Sequence, residues 1–239
     1  MISVCMATYN GERYVLEQLH SILSQLSDID EVIVSDDGSC DSTCAIIEQI
    51  DDDRIRLFRH TQQPQGPGKN FEFALLQAKG QFIFLADQDD VWENKKISTM
   101  QTYLTAYDLV VSDCSIIDLN GNTLYDSYFM LRRSGAGILK NLRRNSYMGC
   151  CMAFRRHILE QVIPLPKNIP MHDWWIGLVA EAVGTTFFCP EKLVKYRRHR
   201  ENSTPLAGRS RFDFVQQMLF RVNLVVNLIK LWMRHRKRY

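Results

Sequence analysis

The sequence predicts an α/β protein with a mostly parallel central sheet flanked by helices, and two observations carry the prediction. Over the first hundred residues, short apolar runs alternate with helical stretches of roughly 10 to 12 residues, the spacing that joins parallel strands through right-handed crossovers. The early runs also end in polar clusters, at the strand ends where open parallel sheets bind ligands. Composition agrees: 239 residues, 46% hydrophobic and 10% aromatic, supply one sizeable core.

In order, the pattern reads as a strand at Ile2 to Ala7, a helix near Tyr14 to Gln25, a strand at Glu31 to Ser35, a helix near Asp41 to Ile50 and a strand at Ile55 to Phe58. A helix near Asn70 to Lys79 and a strand at Gln81 to Ala86 follow. Beyond residue 100 the pattern loosens: a strand at Leu109 to Ser112, a turn at Asn120-Gly121-Asn122, a strand-like Gly149 to Phe154, a helix from Asp173, and a strand from Thr186 to Cys189 or on to Lys195. The composition changes at Glu201-Asn-Ser-Thr-Pro205, which reads as a hinge between a body, residues 1–204, and a tail, residues 205–239.

The formal net charge of +2 conceals an asymmetry. The tail holds eight Lys or Arg and a single acid, Asp213, so it carries +7 and the body −5. A mildly acidic body excludes a uniformly basic nucleic-acid binder, and no nucleic-acid partner is expected. Seven scattered cysteines, with no C-x-x-C and no His at zinc spacing, suggest neither a disulfide frame nor a structural metal, and point to a reducing compartment. The N-terminus does not read as a signal peptide, and no uninterrupted apolar run approaches the length of about 18 residues that spans a bilayer, so neither export nor membrane spanning is expected.

Two acidic clusters follow strands. Asp87-x-Asp89 with Asp90 can share a hard divalent cation whose open positions suit diphosphate oxygens; the same residues could instead cap a helix near Glu93. In Asp36-Asp37-Gly38-Ser39-x-Asp41, a carboxylate can accept the imide N–H of uracil or thymine, Gly38 allows the tight turn, and Ser39 or Asp41 can serve as a helix cap. Gly66-Pro-Gly68-Lys69-Asn70 is not a P-loop, because Gln63 stands where its first glycine belongs and no Ser or Thr follows the lysine. The first strand does not lead into G-x-G-x-x-G, which disfavours a dinucleotide-binding dehydrogenase.

The ordered motifs Ser3-Val-Cys-Met-Ala-Thr8-Tyr9-Asn10-Gly11, Ser35-Asp36-Asp37-Gly38-Ser39-x-Asp41, Asp87-Gln-Asp89-Asp90-Val-Trp92, His172-Asp173-Trp174-Trp175 and Tyr196-Arg-Arg-His199 resemble glycosyltransferase family 2, especially its rhamnosyltransferase-like branch. The resemblance implies a GT-A fold and inverting transfer from a nucleotide sugar, with Mn or Mg at the D-x-D. It places Thr8 and Tyr9 in the nucleotide pocket, Asp37 on the base N–H, Asp87 by the ribose or the metal shell, Asp89 and His199 at the metal, and Asp173 as the base. His172 and Trp174 fall on the acceptor side. Inversion is a single displacement, so one carboxylate must deprotonate the acceptor hydroxyl while positive charge stabilises the departing diphosphate. Many members of the family carry Glu-Asp where this chain has His172-Asp173, and the Pro64 to Asn70 segment lacks the family's longer glycine-and-arginine pattern.

In the tail, Gln216, Asn223, Asn227, Lys230 and Arg234 form one polar stripe on an otherwise apolar helix ending in Arg234-His-Arg-Lys-Arg238. Such a helix suits an anionic membrane surface, or docks on the body or on a partner. The resulting expectation is a cytoplasmic, peripherally membrane-bound transferase. It would move rhamnose or a similar sugar from a dTDP or UDP donor to a saccharide acceptor during cell-surface polysaccharide synthesis, and the resemblance implies that lipid-linked acceptors are among the candidates. The competing readings are a sugar-nucleotide nucleotidyltransferase and a non-catalytic glycan- or membrane-binding protein on a transferase scaffold.

Overall fold

Strand β1 (Ile2–Thr8) runs through the middle of the parallel half of the sheet. In the computed structural model, which describes residues 1–61, 63–199 and 212–236, it pairs in parallel with β2 (Glu31–Asp36) on one side and β4 (Phe82–Asp87) on the other. Strand β3 (Ile55–Arg59) continues the parallel set beyond β2. Helices α1 (Val15–Leu23), α2 (Thr43–Glu48) and α3 (Pro67–Gln77) make the crossovers. The expected elements of this half are all present, and the almost complete burial of β1 and β2 accounts for their mainly apolar middles.

The second half is mixed. After β5 (Val91–Trp92) and α4 (Lys96–Leu104), β6 (Leu109–Ile117) pairs with the short β7 (Thr123–Tyr125) across the Asn120–Asn122 turn. Small helices α5 (Tyr128–Arg132) and α6 (Ile138–Arg143) lead to a 3-10 turn at Gly149–Cys151 and to β8 (Met152–Arg155). Then come α7 (Arg156–Val162), α8 (His172–Val183), β9 (Thr186–Arg197) and α9 (Phe214–Arg236). Among the described residues the sheet has nine strands in the order β3-β2-β1-β4-β8-β6-β9-β5, with β7 on β6.

Strand β8 is antiparallel to both β4 and β6, and β9 is parallel to β6. The carboxyl ends of β1, β2, β4, β6 and β9 therefore share one edge of the sheet, and the turn that enters β8 joins them there. Two strands exceed their expected lengths for one reason. The β6–β9 register shifts between Ser112 and Cys114, so Ser112 pairs with Cys189 and Asp113 with Lys192. Pro190 and Glu191 bulge out, which lets a proline sit inside a long strand and breaks the apolar pattern of β6 at Asp113.

Helix α9 docks on the body through a narrow face. Leu224 and Leu231 are buried, Arg221 donates to the carbonyls of Leu142 (3.0 Å) and Arg143 (3.0 Å) at the end of α6, and Asn223 donates to Asn168 O (3.4 Å). The polar stripe thus turns partly toward the protein, while Val215, Leu219, Val222, Val226, Ile229 and Met233 face outward. Although polar residues interrupt every apolar run, Phe214–Arg234 is long and apolar enough to cross a membrane by length and composition. This departs from the expectation of no such segment, because the helix holds few charged residues and its Leu, Val and Ile outweigh the Gln and Asn that interrupt the runs. The hinge at Glu201–Pro205, Arg209, Arg211, Lys237 and Arg238 lie outside the described residues.

Candidate active site

The end of β1 is wired to the end of β2. Buried Thr8 donates its hydroxyl to Asp36 Oδ2 (2.8 Å), and Asp36 also accepts the backbone N–H (2.8 Å) and hydroxyl (2.5 Å) of Ser39. Gly38, at φ 85°, makes the turn between them. Both oxygens of buried Asp37 accept backbone N–H groups from the segment before α3, Oδ1 from Gln65 (3.0 Å) and Oδ2 from Gly66 (2.8 Å). The Tyr9 side chain projects outward, 45% exposed. Its backbone is held by Gln88, whose amide accepts from Tyr9 N (2.9 Å) and donates to Tyr9 O (2.9 Å).

The acidic cluster after β4 does not cap α4, which starts only at Lys96 and has no side-chain cap bond. Buried Asp89 meets His199 instead, with Nε2 to Oδ2 at 2.5 Å. Buried Asp90 accepts the Arg197 backbone N–H on Oδ1 (2.9 Å), and its Oδ2 accepts no N–H or O–H among the described residues, with Cys150 beside it. The Arg197 side chain donates to Asp89 O (2.9 Å) and Glu17 (2.7 Å) and lies over the Tyr14 ring, which also stacks with His199. Ligand atoms of Asp87, Asp90 and Cys150 lie within 4.8 Å of one another. Burial, joined by the charges of Asp89 and Asp173, pushes Asp87 well above the usual carboxylate range; burial with Asp89 and Asp87 does the same to Asp90. Behind them, fully buried Lys96 donates to Cys150 O and lies over the Trp92 ring at 4.1 Å. Burial lowers its pKa, and the negative charge of Asp90 is among the influences opposing that shift.

Asp173 enters from the first turn of α8, where a negative charge is favoured by the helix dipole. Its carboxylate accepts the N–H of Trp174 (2.6 Å) and that of Gly149, in the turn that leads into β8. Burial lifts it to about 7, and its charge is close enough to raise Asp87. His172 is buried and stacks on Phe71, with ring centroids 4.1 Å apart; burial pushes its pKa down to about 3, so the ring is neutral, and Nε2 has no hydrogen-bond partner among the described residues. Trp174 is packed inside, donating to Asn141 O (2.9 Å) with Arg221 of α9 over its ring. Trp175 is likewise buried and bonded to Val162 O (3.1 Å).

Thus Asp87, Asp89, His199 and Asp173 come together at one edge of the sheet, with Thr8, Tyr9 and Asp37 beside them. Trp174 belongs to the packing beneath α9, and His172 lies under the site at the start of α8. Gln88, Arg197, Lys96 and the Gly149–Cys151 turn were not identified from sequence. Arg197 stood inside the late basic motif and Gln88 between two quoted aspartates, but a residue that binds backbone carries no pattern of its own.

The family model for glycosyl transferase family 2 matches residues 3–163. An uncharacterized glycosyltransferase from Nostoc sp. is 27% identical over 215 residues, covering 84% of this chain, and the chain spans 66% of that protein's length. The dTDP-rhamnosyl transferase RfbG of Shigella flexneri is 26% identical over 218 residues, covering 82% of this chain and 72% of RfbG. A UDP-Glc:alpha-D-GlcNAc-diphosphoundecaprenol beta-1,3-glucosyltransferase of Escherichia coli, WfgD, is 22% identical over 241 residues, covering 96% and 92%. Among solved structures, S. aureus TarS 1-349 in complex with UDP-GlcNAc aligns with TM-score 0.73 at 21% identity, covering 95% of this chain and 66% of that one. A Pyrobaculum calidifontis mannosyltransferase in complex with GDP-Man and Mn2+ aligns with TM-score 0.62 at 19% identity, covering 98% and 64%. These likenesses establish the GT-A fold. The family model covers most of the chain, which therefore belongs to glycosyl transferase family 2.

Proposed function

We propose that this chain is an inverting glycosyltransferase that moves rhamnose or a similar sugar from a dTDP or UDP donor to a saccharide acceptor of a cell-surface glycan. The observation that carries the reading is the convergence, at one sheet edge, of the acidic loop Asp87–Asp90 and a buried carboxylate, Asp173, lifted to about 7. In this reading residues 1–204 are the catalytic domain, with Tyr9 and Asp37 meeting the nucleobase and Asp87 the ribose or the metal shell. Asp37 keeps lone pairs for a base N–H, since each oxygen accepts one backbone donor.

The donor set fits a divalent cation. Asp90 Oδ2 is buried without an N–H or O–H partner among the described residues, and the charge of Asp89 helps to raise both Asp87 and Asp90, so the loop favours added positive charge. Asp89 and His199 would hold Mn or Mg, with Asp87 at its edge. Such an ion, when bound, supplies charge against the diphosphate leaving group. Asp173 takes the acceptor hydroxyl proton as that oxygen attacks the anomeric carbon. A pKa of about 7 leaves it a competent base at neutral pH, and the Gly149 N–H holds its carboxylate in place.

RfbG supports a dTDP-rhamnose donor, and WfgD and TarS support a UDP-sugar. The diphosphoundecaprenol acceptor of WfgD supports a lipid-linked acceptor here. The outward apolar face of α9, with Lys230 and Arg234 exposed beside it, supports peripheral attachment of residues 205–239 to an anionic membrane, on the cytoplasmic side. The test is a donor screen with Mn or Mg, following nucleoside diphosphate release with and without saccharide acceptors. Acceptor-dependent release from a dTDP or UDP sugar supports the reading; no binding or turnover across UDP, dTDP and GDP sugars overturns it.

A further inference from the structure

The acidic loop and the loop that carries Tyr9 come from strands β4 and β1, 79 residues apart in sequence, yet one side chain joins them. The Gln88 amide makes both hydrogen bonds that the Tyr9 backbone can offer at this edge, accepting from its N–H and donating to its carbonyl at 2.9 Å each. The far side of the same loop is fixed separately: Asn10, at φ 48°, donates its N–H to Ser39 Oγ (2.9 Å), and its side chain accepts from Cys40 N (2.9 Å). Only the Tyr9 ring is left to project.

Gly11 completes the arrangement. Its backbone has no positive φ that would demand glycine. What it provides is room, because a Cβ there would stand 2.2 Å from Gln88 Oε1, 2.4 Å from Cδ and 2.9 Å from Nε2. A methyl group at position 11 and the Gln88 amide in its observed place exclude each other. The far end of a glutamine can swing away, so the methyl group would displace the amide from Tyr9 and leave the fold in place.

We propose that Gln88 is a positioning residue for the nucleotide, locking the Tyr9 loop to the acidic loop on either side of one donor, and that Gly11 serves to admit it. Base contacts and diphosphate contacts are thereby held at a fixed separation before the donor arrives, so less ordering is left for binding. The inference rests on the reading of this edge as a nucleotide-sugar site.

The test is calorimetric titration of UDP, dTDP and GDP into the full chain with MnCl2, for wild type, Gln88→Ala, Gly11→Ala and the double variant. Two hydrogen bonds lost from a half-exposed clamp predict a weakening of about tenfold in each single variant. Because both substitutions break the same clamp, the double variant weakens no further than either single one. Donor KM rises in parallel while kcat stays near wild type, a split that a general loss of folding would not produce. Gln88→Glu keeps the length but cannot donate to Tyr9 O, and it reproduces the weakening if the alanine variant fails to fold. Affinity within twofold of wild type in Gln88→Ala or Gln88→Glu overturns the proposal, as do losses that add in the double variant. A wild-type chain that binds none of the three nucleotides overturns the reading of the site itself, and the inference with it.

Discussion

His199 Nε2 lies 2.5 Å from Asp89 Oδ2, joining the residues just beyond β9 to the acidic loop after β4 across 110 positions of sequence. With the Arg197 backbone N–H donating to the Asp90 carboxylate and its side chain to Asp89 O, the end of β9 shapes the proposed cation site. His199→Ala is expected to raise the Mn concentration needed for half-maximal nucleotide release by about tenfold or more. A manganese titration of wild type and variant checks this, and an unchanged requirement removes His199 from the site.

Asp173 gives a prediction of opposite signs for activity and stability. Asp173→Asn cannot accept the acceptor proton, so transfer falls by about a thousandfold or more while nucleotide binding persists. The same change removes a buried carboxylate that prefers to be neutral, and stability at pH 8 rises on the order of 1–2 kcal/mol. Thermal melts beside single-turnover rates measure both, and wild-type turnover in the variant would eliminate Asp173 as the base.

The pH dependence follows from the raised pKa. A base works ionised, so the rate climbs as pH approaches about 7 and levels above it. Stability moves the other way. The folded state binds the Asp173 proton more tightly than the unfolded state does, so this contribution is fully present below the unfolded value of 3.8 and is lost as pH rises through about 7. The difference in melting temperature between wild type and Asp173→Asn should therefore open between pH 5 and pH 8.

The two faces of α9 separate by mutation. Leu224→Ala, at a fully buried contact with the body, is expected to destabilise by about 2–4 kcal/mol. Val222→Asp with Ile229→Asp, both on the exposed face, leaves the melting temperature close to wild type and abolishes flotation with vesicles containing phosphatidylglycerol. Retained flotation would show that the membrane is held elsewhere.

The parallel half of the fold was legible because each of its strands is a local apolar run with a polar end. The mixed half was legible only in outline: β6, β8, β9 and α8 were placed, but the full lengths of β6 and β9 were not, since they share a bulge that places Asp113 and Pro190 inside long strands. A period-based reading stops at such residues. At the site, carboxylates announced themselves by type and spacing, whereas Gln88 and Arg197 bind backbone groups from another strand, a relation that exists only after folding. For Trp174 the sequence left a sugar-facing surface and a core position both open; in the structure it donates to the Asn141 carbonyl and lies against the Arg221 guanidinium, in the packing between α6 and α9.

The orientation of α9 also bears on how the protein behaves at the bench. On the proposed membrane reading, a helix that gives its polar stripe partly to its own body and its aliphatic side to the outside is matched to a solvent other than water. In lipid-free buffer the readiest cover for Val222, Val226 and Ile229 is the same helix of another molecule. Dimers or larger species that grow with concentration and dissolve on adding mild detergent would then record a missing bilayer, and the size measured in detergent would be the one to take as the quaternary state.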